Sequence, residues 1–317
     1  MTIEILKAPV LQFGDQLGIF APASPVRLEY VRKGQKYLTQ SGFRNREGSS
    51  LLSRSYHVAG DLRARLTDFE NLLLDSDVKG LVAARGGYGT LPLLPLLDFA
   101  LIGRHPKIIL GFSDLTALQL ALWQRLKLVT FSGPMLAVEM ARPGTVNSAL
   151  LWGLLTGAKE AEIKPLLSAY LVSQRIEYLR AARFSGRSLG GTLTLLASLA
   201  GTSYMPDFAE KIIFIEDRGE PLYRIDRALT QLRLAGVFNS PAAVVCGEFS
   251  LPNKIEEPLL PNFLKDFFAV DDFPVLINFS YGHCPQSFIF PQGIMMEFDC
   301  RREVITLLES AVREDGS

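Results

Sequence analysis

Cysteine is scarce in this 317-residue chain, which has only Cys246, Cys284 and Cys300. An odd, widely spaced set is no disulfide framework, and no spacing among them suits a metal site of the C-x-x-C kind. They read as thiols in a reducing compartment. Net charge is also lacking: 33 basic and 33 acidic residues cancel. No general attraction to nucleic acid or to an anionic membrane is expected. Long hydrophobic runs are missing too. The opening MTIEILKAPVLQFGDQLGIF is interrupted by Glu4, Lys7 and Asp15, which leaves no signal-peptide core. Uncharged stretches such as Ser188–Pro206 are broken by Gly190, Gly191 and Gly201. They fall short of the roughly 20 mostly apolar residues that a spanning helix needs. A soluble, cytoplasmic protein is the expectation. What is present suits a packed core: 48% of residues are hydrophobic and 21% charged. At roughly 100–200 residues per domain, two domains are expected.

The first half alternates short apolar runs with amphipathic ones. Gln16–Ala21, Val78–Ala84, Lys107–Leu110 and Leu128–Phe131 read as strands. Between them, Leu28–Ser41 reads as a helix stopped by Gly42, Leu62–Leu74 as one with Leu62, Leu66, Phe69 and Leu73 on one face, and Asp114–Leu126 as a third. Strands alternating with helices predict an α/β fold with a parallel sheet, whose ligands lie beyond the carboxyl ends of the strands. Between 157 and 184 the pattern weakens and charge rises. We place a linker there, between an N-terminal domain, 1–156, and a C-terminal one, 185–317. The second part reads as a helix at Leu193–Leu199, a strand at Lys211–Glu216 and a helix at Tyr223–Leu234 closed by Gly236. Strands at Ala242–Cys246 and Val275–Phe279 follow, then antiparallel strands within Phe288–Glu309, turning near Asp299–Arg302. No internal repeat is present.

Four segments could carry chemistry. In Lys107–Leu118 a buried strand runs into Gly111, then Ser113, then a helix. That is the shape of a nucleophile elbow, with helix-terminal potential to favour an oxyanion. Leu115 stands where G-x-S-x-G has its second glycine, and Ser or Asp before a helix is also a common N-cap. In Arg85-Gly86-Gly87-Tyr88-Gly89, again after a strand, three glycines let the backbone approach a ligand and expose amide donors. A plain tight turn is the alternative. Arg85 could pair with a carboxylate of a substrate or of the protein itself. Of three histidines, His57 and His105 lie in loops without an assignable partner. His283 follows a strand in an uncharged neighbourhood and suits a general base, or a structural role. The strand Ile212–Ile215 ends in Glu216 and Asp217, either a solvated strand end or an orienting carboxylate for a histidine. Glu220, Asp226 and Arg227 nearby suit an ion-pair network. Together these place Ser113, Glu216 and His283 at the ends of three predicted strands.

With these motifs in order along nearly the whole chain, the sequence resembles the LD-carboxypeptidase (muramoyltetrapeptide carboxypeptidase) family. The segments are Gly18–Ser24, Arg85–Gly89, Gly111–Leu118, Gly133-Pro-Met135, Gly190-Gly191, Ile215-Glu216-Asp217, Tyr223–Arg227 and Gly282-His283. The resemblance implies an N-terminal domain like class I glutamine amidotransferases, a C-terminal β/α domain, and a site between them. It implies a serine peptidase with Ser113 as nucleophile, Glu216 as orienting carboxylate and His283 as base. The oxyanion donors would be the amides of Gly87 and Asp114, with Arg85 and Gly86 at the substrate. Neither a metal nor an organic cofactor is implied, and family members are commonly homodimers. The implied reaction releases D-alanine from the L,D bond of L-Ala-D-Glu-meso-diaminopimelate-D-Ala in cell-wall recycling. Two departures stand out: Ser132 replaces a histidine often found before Gly-Pro-Met, and Thr192 an asparagine often found after Gly-Gly.

Two rival readings remain at this stage. Microcin-immunity hydrolases resemble the family but cleave a peptidyl-nucleotide amide, and an aromatic pocket would mark them. Trp123, Trp152 and Tyr170 are available for one. A non-catalytic ligand-binding module built on the glycine loop is the other reading, one that leaves Glu216 and His283 unexplained.

Overall fold

The computed structural model describes residues 4–172 and 175–314. Each apolar run of the first half becomes a short buried strand, and each amphipathic run a helix laid against it. In order these are β1 (Gln16–Phe20), α1 (Leu28–Gln40), β2 (Arg44–Glu47), α2 (Leu62–Leu74) and β3 (Val78–Ala83). Then come α3 (Phe99–Arg104), β4 (Ile108–Gly111), α4 (Thr116–Leu126) and β5 (Thr130–Ser132). β1 to β5 are parallel, in the spatial order β2-β1-β3-β4-β5. This is a doubly wound arrangement, and it opens a crevice at the carboxyl ends where the order reverses, next to β1 and β3.

Helix α2 illustrates how packing serves the loops. Asp61 caps it by accepting from the Ala64 amide, and Phe69, Leu72 and Leu73 are buried. The same face also buries Arg65 and Asp68, which periodicity does not lead one to expect. Both are satisfied. Arg65 donates to the Pro22 and Gly89 carbonyls at 2.6 Å each, and Asp68 accepts from the Ser49 and Ser50 amides. Arg65 thus pins the loops that follow β1 and β3, and Asp68 the loop that follows β2.

The second half continues with α5 (Ser148–Leu155), α6 (Glu160–Ser168), β6 (Glu177–Leu179), β7 (Arg183–Thr192) and α7 (Leu193–Leu199). It is completed by β8 (Lys211–Arg218), α8 (Leu222–Leu234), β9 (Ala243–Ser250), α9 (Leu260–Phe267), β10 (Val275–Ile277), β11 (Phe290–Gln292), β12 (Met295–Asp299) and β13 (Val304–Leu307). A second sheet has the order β13-β12-β7-β8-β9-β10-β6, parallel from β7 to β10 and antiparallel at its edges. The protein is therefore a mixed α/β fold of two sheets.

Several details differ from the sequence reading. β10 stops at Ile277 rather than Phe279, because Asn278 takes a left-handed φ of 62° and breaks the ladder. The segment 157–184 carries α6, and β6 within it pairs with β10 in the second sheet. β11 pairs antiparallel with β5, so it belongs to the first sheet although it follows β10 of the second. Gln292 on β11 then holds the second sheet by bonding both the amide and the carbonyl of Gly190. α4 is buried from Thr116 to Trp123 and lies between the sheets, against β5, β7, β11 and α7. No helix among the described residues is long and apolar enough to cross a membrane.

Candidate active site

Ser113 opens a 3-10 turn, Ser113–Leu115, that leads straight from β4 into α4. Its φ is 63°, in the left-handed region that side chains with a Cβ avoid. Such strain persists only where the surroundings over-determine it. Here they do. On the strand side, Gly111 (φ 155°) leaves no room for a Cβ, which would stand 2.7 Å from Leu115 and 2.9 Å from Ala83. The Gln119 amide fastens the β4 end by donating to the Gly111 carbonyl at 2.9 Å. The result is a sharp strand-to-helix turn with the hydroxyl held out at its apex.

The glycine loop after β3 lies directly over that hydroxyl. A Cβ on Gly86 would stand 2.7 Å from both Cβ and Oγ of Ser113, and 3.3 Å from the Asp114 nitrogen. A Cβ on Gly87 (φ 116°) would meet the Ser24 hydroxyl at 2.2 Å. Ser24, in the loop after β1, braces the glycines: its amide donates to the Gly86 carbonyl, and its hydroxyl accepts from the Tyr88 amide, both at 3.3 Å. Among the described residues the amides of Gly86, Gly87 and Asp114 donate to no protein group. Asp114 itself turns inward, where its carboxylate accepts from the Thr90 amide at 2.8 Å and from the Thr90 hydroxyl. Burial raises its pKa, against the Thr90 hydrogen bonds and the nearby Arg65.

Glu216 comes from the second sheet. β8 is continuous with β7 at Thr192↔Glu216, but its register with β9 shifts between Ile215 and Asp217. An irregularity of this kind re-aims a side chain. The fully buried carboxylate accepts from the Thr192 hydroxyl at 2.6 Å through Oε1 and meets His283 Nδ1 at 2.6 Å through Oε2. The departure to threonine at 192 therefore keeps a donor at the carboxylate. Gly282 (φ 108°) lets the chain pass: a Cβ there would lie 2.6 Å from the Glu216 Cγ and Oε2. Beyond it, His283 Nε2 lies 3.2 Å from Ser113 Oγ, and its ring packs 4.9 Å from that of Phe112. With Nδ1–H donated to Glu216, Nε2 is left as the acceptor facing the serine. Burial acts to lower the His283 pKa, but the charge and hydrogen bond of Glu216 outweigh it, and the pKa is raised. A further tie joins the two halves: Thr116 Oγ1, at the start of α4, accepts from the Thr192 amide at 3.2 Å.

The structure thus brings Ser113, Glu216, His283, Gly86, Gly87 and Asp114 together. All but Glu216 line one cleft of about 310 Å3, as does Arg85. Arg85 also donates to the Pro25 carbonyl at 3.3 Å. Thr192, Thr194, Asp217, Arg218, Glu220, Met135, Val138, Leu195 and Glu139 complete the wall. Burial raises Asp217 to about 6 and Cys284 to about 12, so the thiol beside His283 stays protonated. Among the described residues no cluster of His, Cys, Asp and Glu could hold a metal ion. Trp123 and Trp152 are buried, and Tyr170 packs on Phe279 and Phe288. None of the three lines the cleft. His57 packs on the Tyr88 ring, also outside the lining. Sequence reasoning missed Glu139, which follows Gly133-Pro-Met135 by four residues, and the roles of Arg65, Ser24 and Thr116. Only Ser24, at the end of a strand-loop motif, had a local signal.

A serine, an imidazole and a carboxylate in hydrogen-bonded series beside free amides is an arrangement found in nucleophilic hydrolases. Comparison narrows the class. Residues 17–133 match the LD-carboxypeptidase N-terminal domain and residues 185–298 the LD-carboxypeptidase C-terminal domain. The chain belongs to the LD-carboxypeptidase family. A Bacillus subtilis (strain 168) protein named "Probable murein peptide carboxypeptidase" is 34% identical over 97% of this chain and 96% of its own length. The Escherichia coli microcin C7 self-immunity protein MccF is 27% identical over 96% of each chain. A structure of MccF with glutamyl sulfamoyl guanosine aligns at a TM-score of 0.87, with 24% identity over 97% of this chain and 100% of that one. A muramoyltetrapeptide carboxypeptidase from Oxalobacter formigenes aligns at 0.74, with 25% identity over 92% of this chain and 97% of that one.

Proposed function

We propose that the protein is a serine LD-carboxypeptidase that releases the terminal D-alanine from murein tetrapeptides, with Ser113, His283 and Glu216 as its catalytic residues. The observation that carries this is the unbroken series Glu216 Oε2–His283 Nδ1 and His283 Nε2–Ser113 Oγ, at 2.6 and 3.2 Å. His283 Nε2 takes the hydroxyl proton as Ser113 Oγ attacks the carbonyl at the L-centre of diaminopimelate or lysine. The buried Glu216 stabilises the imidazolium that forms. Negative charge on the carbonyl oxygen meets the amides of Asp114 and Gly87, each donor worth about 2.7–4 kcal/mol in comparable sites. The tetrahedral adduct collapses as the imidazolium protonates the D-alanine amine. Water, deprotonated by His283, then cleaves the acyl-serine and restores the hydroxyl. Arg85 and Arg218 line the same cleft and suit the substrate's carboxylates.

Incubation of the purified protein with L-Ala-D-Glu-meso-diaminopimelate-D-Ala, followed by mass spectrometry, is expected to show loss of one alanine. Intact peptide after exhaustive incubation with folded protein would sink the reading. A glutamyl sulfamoyl nucleoside run in parallel tests the rival substrate. Among the described residues the cleft lining includes no Phe, Tyr or Trp to stack a base, so little turnover of that compound is expected.

Gly86 offers a sharper check. In Gly86→Ala the new methyl stands 2.7 Å from the nucleophile's own Cβ and Oγ. Either the hydroxyl or the loop must move, and a displacement near 1 Å costs on the order of 100-fold in rate. Steady-state kinetics should show that loss in kcat/KM. A variant as active as the wild type would mean that the loop does not lie over the reacting serine.

A further inference from the structure

Besides the proposed catalytic Glu216, four carboxylates border the cleft, and three of them are engaged. Asp217 accepts from Thr194 through one oxygen and from the Arg218 amide through the other. Asp114 accepts from Thr90, and Glu220 pairs with Arg224 at 3.5 Å. Glu139 is different. Its Oε2 accepts from the Met135 amide at 2.9 Å, its own backbone amide also serves the carboxylate, and no side chain among the described residues pairs with it. The carboxylate is therefore oriented by backbone and left without a cationic partner.

Its surroundings leave it open to a cation from one side only. Burial raises the Glu139 pKa, which the Met135 amide, its own amide and the more distant charges of His283 and Arg142 only partly offset. A largely buried carboxylate with no cationic partner gains from a cation that reaches it. No such cation comes from behind. The recess on that side, lined by Phe112, Pro134, Val146, Asn147 and Phe288, has a volume of only about 10 Å3. That is room for about one water molecule. The cleft side, shared with Ser113 and His283, is the open approach.

We propose that Glu139 is a specificity residue that receives an ammonium group on the side chain of the substrate residue whose carbonyl Ser113 attacks. This rests on the carboxypeptidase reading of the same cleft. A lysine side chain ends in such a group, and a diaminopimelate side chain ends in an ammonium next to a carboxylate. Arg85 and Arg218 supply the opposite charge for the latter within the same wall. An uncharged side chain of similar length would shield Glu139 from the open cleft and offer it no cation.

The test uses N-acetylated tetrapeptides that differ only at the third residue, L-lysine against L-norleucine, so that the side chain carries the sole ammonium. Wild-type protein is expected to favour the lysine peptide by at least about tenfold in kcat/KM, the scale of one hydrogen bond to a charged group. Glu139→Gln should lose about 10–100-fold on the lysine peptide, chiefly in KM, and change less than about threefold on the norleucine peptide. Equal wild-type rates on the two peptides overturn the assignment whether or not the variant folds. An equal loss on both peptides in Glu139→Gln also overturns it, since the residue would then act through His283. If the wild type cleaves neither of these peptides nor the diaminopimelate tetrapeptide, the carboxypeptidase reading fails and the assignment fails with it. Turnover of the diaminopimelate tetrapeptide without a lysine preference removes the assignment alone.

Discussion

Ser113→Ala is expected to abolish alanine release, with kcat falling on the order of 10^4–10^6-fold, as when the nucleophile of a hydrogen-bonded triad is removed. The oxyanion donors and substrate contacts remain, so tetrapeptide binding should persist. Retained turnover in the alanine variant would end the mechanism. A second substitution separates chemistry from conformation. Ser113 holds a φ of 63°, a conformation that costs a residue with a Cβ roughly 1–2 kcal/mol and glycine almost nothing. Ser113→Gly should therefore be as inactive as Ser113→Ala. Its loss of strain works against the greater entropy of its unfolded chain, so it should melt no lower than the alanine variant. A glycine variant clearly less stable than the alanine one would mean that the turn is not strained at this position.

Glu216→Gln should lower kcat by about 10^4-fold, the scale found when an orienting carboxylate becomes an amide. The reason is geometric. The carboxylate accepts from Thr192 through one oxygen and faces His283 Nδ1 through the other. An amide that keeps the Thr192 bond through its oxygen presents N–H to Nδ1. The imidazole proton is then forced onto Nε2, where the base should be empty. The pH profile carries a second expectation. The proposed mechanism needs neutral His283, and Glu216 holds its pKa above the ordinary histidine value. Wild-type kcat/KM should thus fall as pH drops through that raised pKa, at a higher pH than an unperturbed histidine would give. In the glutamine variant the residual activity should keep its acid limb to lower pH. An unmoved limb would show that Glu216 does not set the imidazole pKa.

Much of the candidate site is legible in the sequence. Ser113, Glu216 and His283 each follow an apolar run, and apolar runs of four to six residues bounded by glycine or charge announce buried strands. The carboxyl-end rule for parallel sheets then made their loops the places to look. What escaped notice escaped for physical reasons. β2 is Arg-Asn-Arg-Glu, an edge strand with no apolar residue, held by its ladder to β1. Arg65 and Asp68 interrupt the apolar face of α2 because they bind loop backbone instead of core. The bond from Thr192 to Thr116, like the place of Glu139 near His283, depends on how two sheets meet around α4, and no local period encodes that. The departures at 132 and 192 were visible as letters only. Their meaning required partners: Ser132 Oγ lies 3.1 Å from the Tyr281 hydroxyl, and Thr192 reaches Glu216.

The return of β11 to the first sheet bears on how the protein is made. Thr130–Ser132 pair with Phe290–Gln292, roughly 160 residues further along. At about 5–20 residues per second, the ribosome needs on the order of ten to thirty seconds between the two. Throughout that interval β5 carries an open hydrogen-bonding edge, and the sheet that bears Ser113 waits, incomplete, for a strand that emerges only after His283. An unpaired edge invites pairing with another chain. At three residues β5 is short for such an encounter, a brevity that helps a nascent chain last until its partner strand leaves the tunnel.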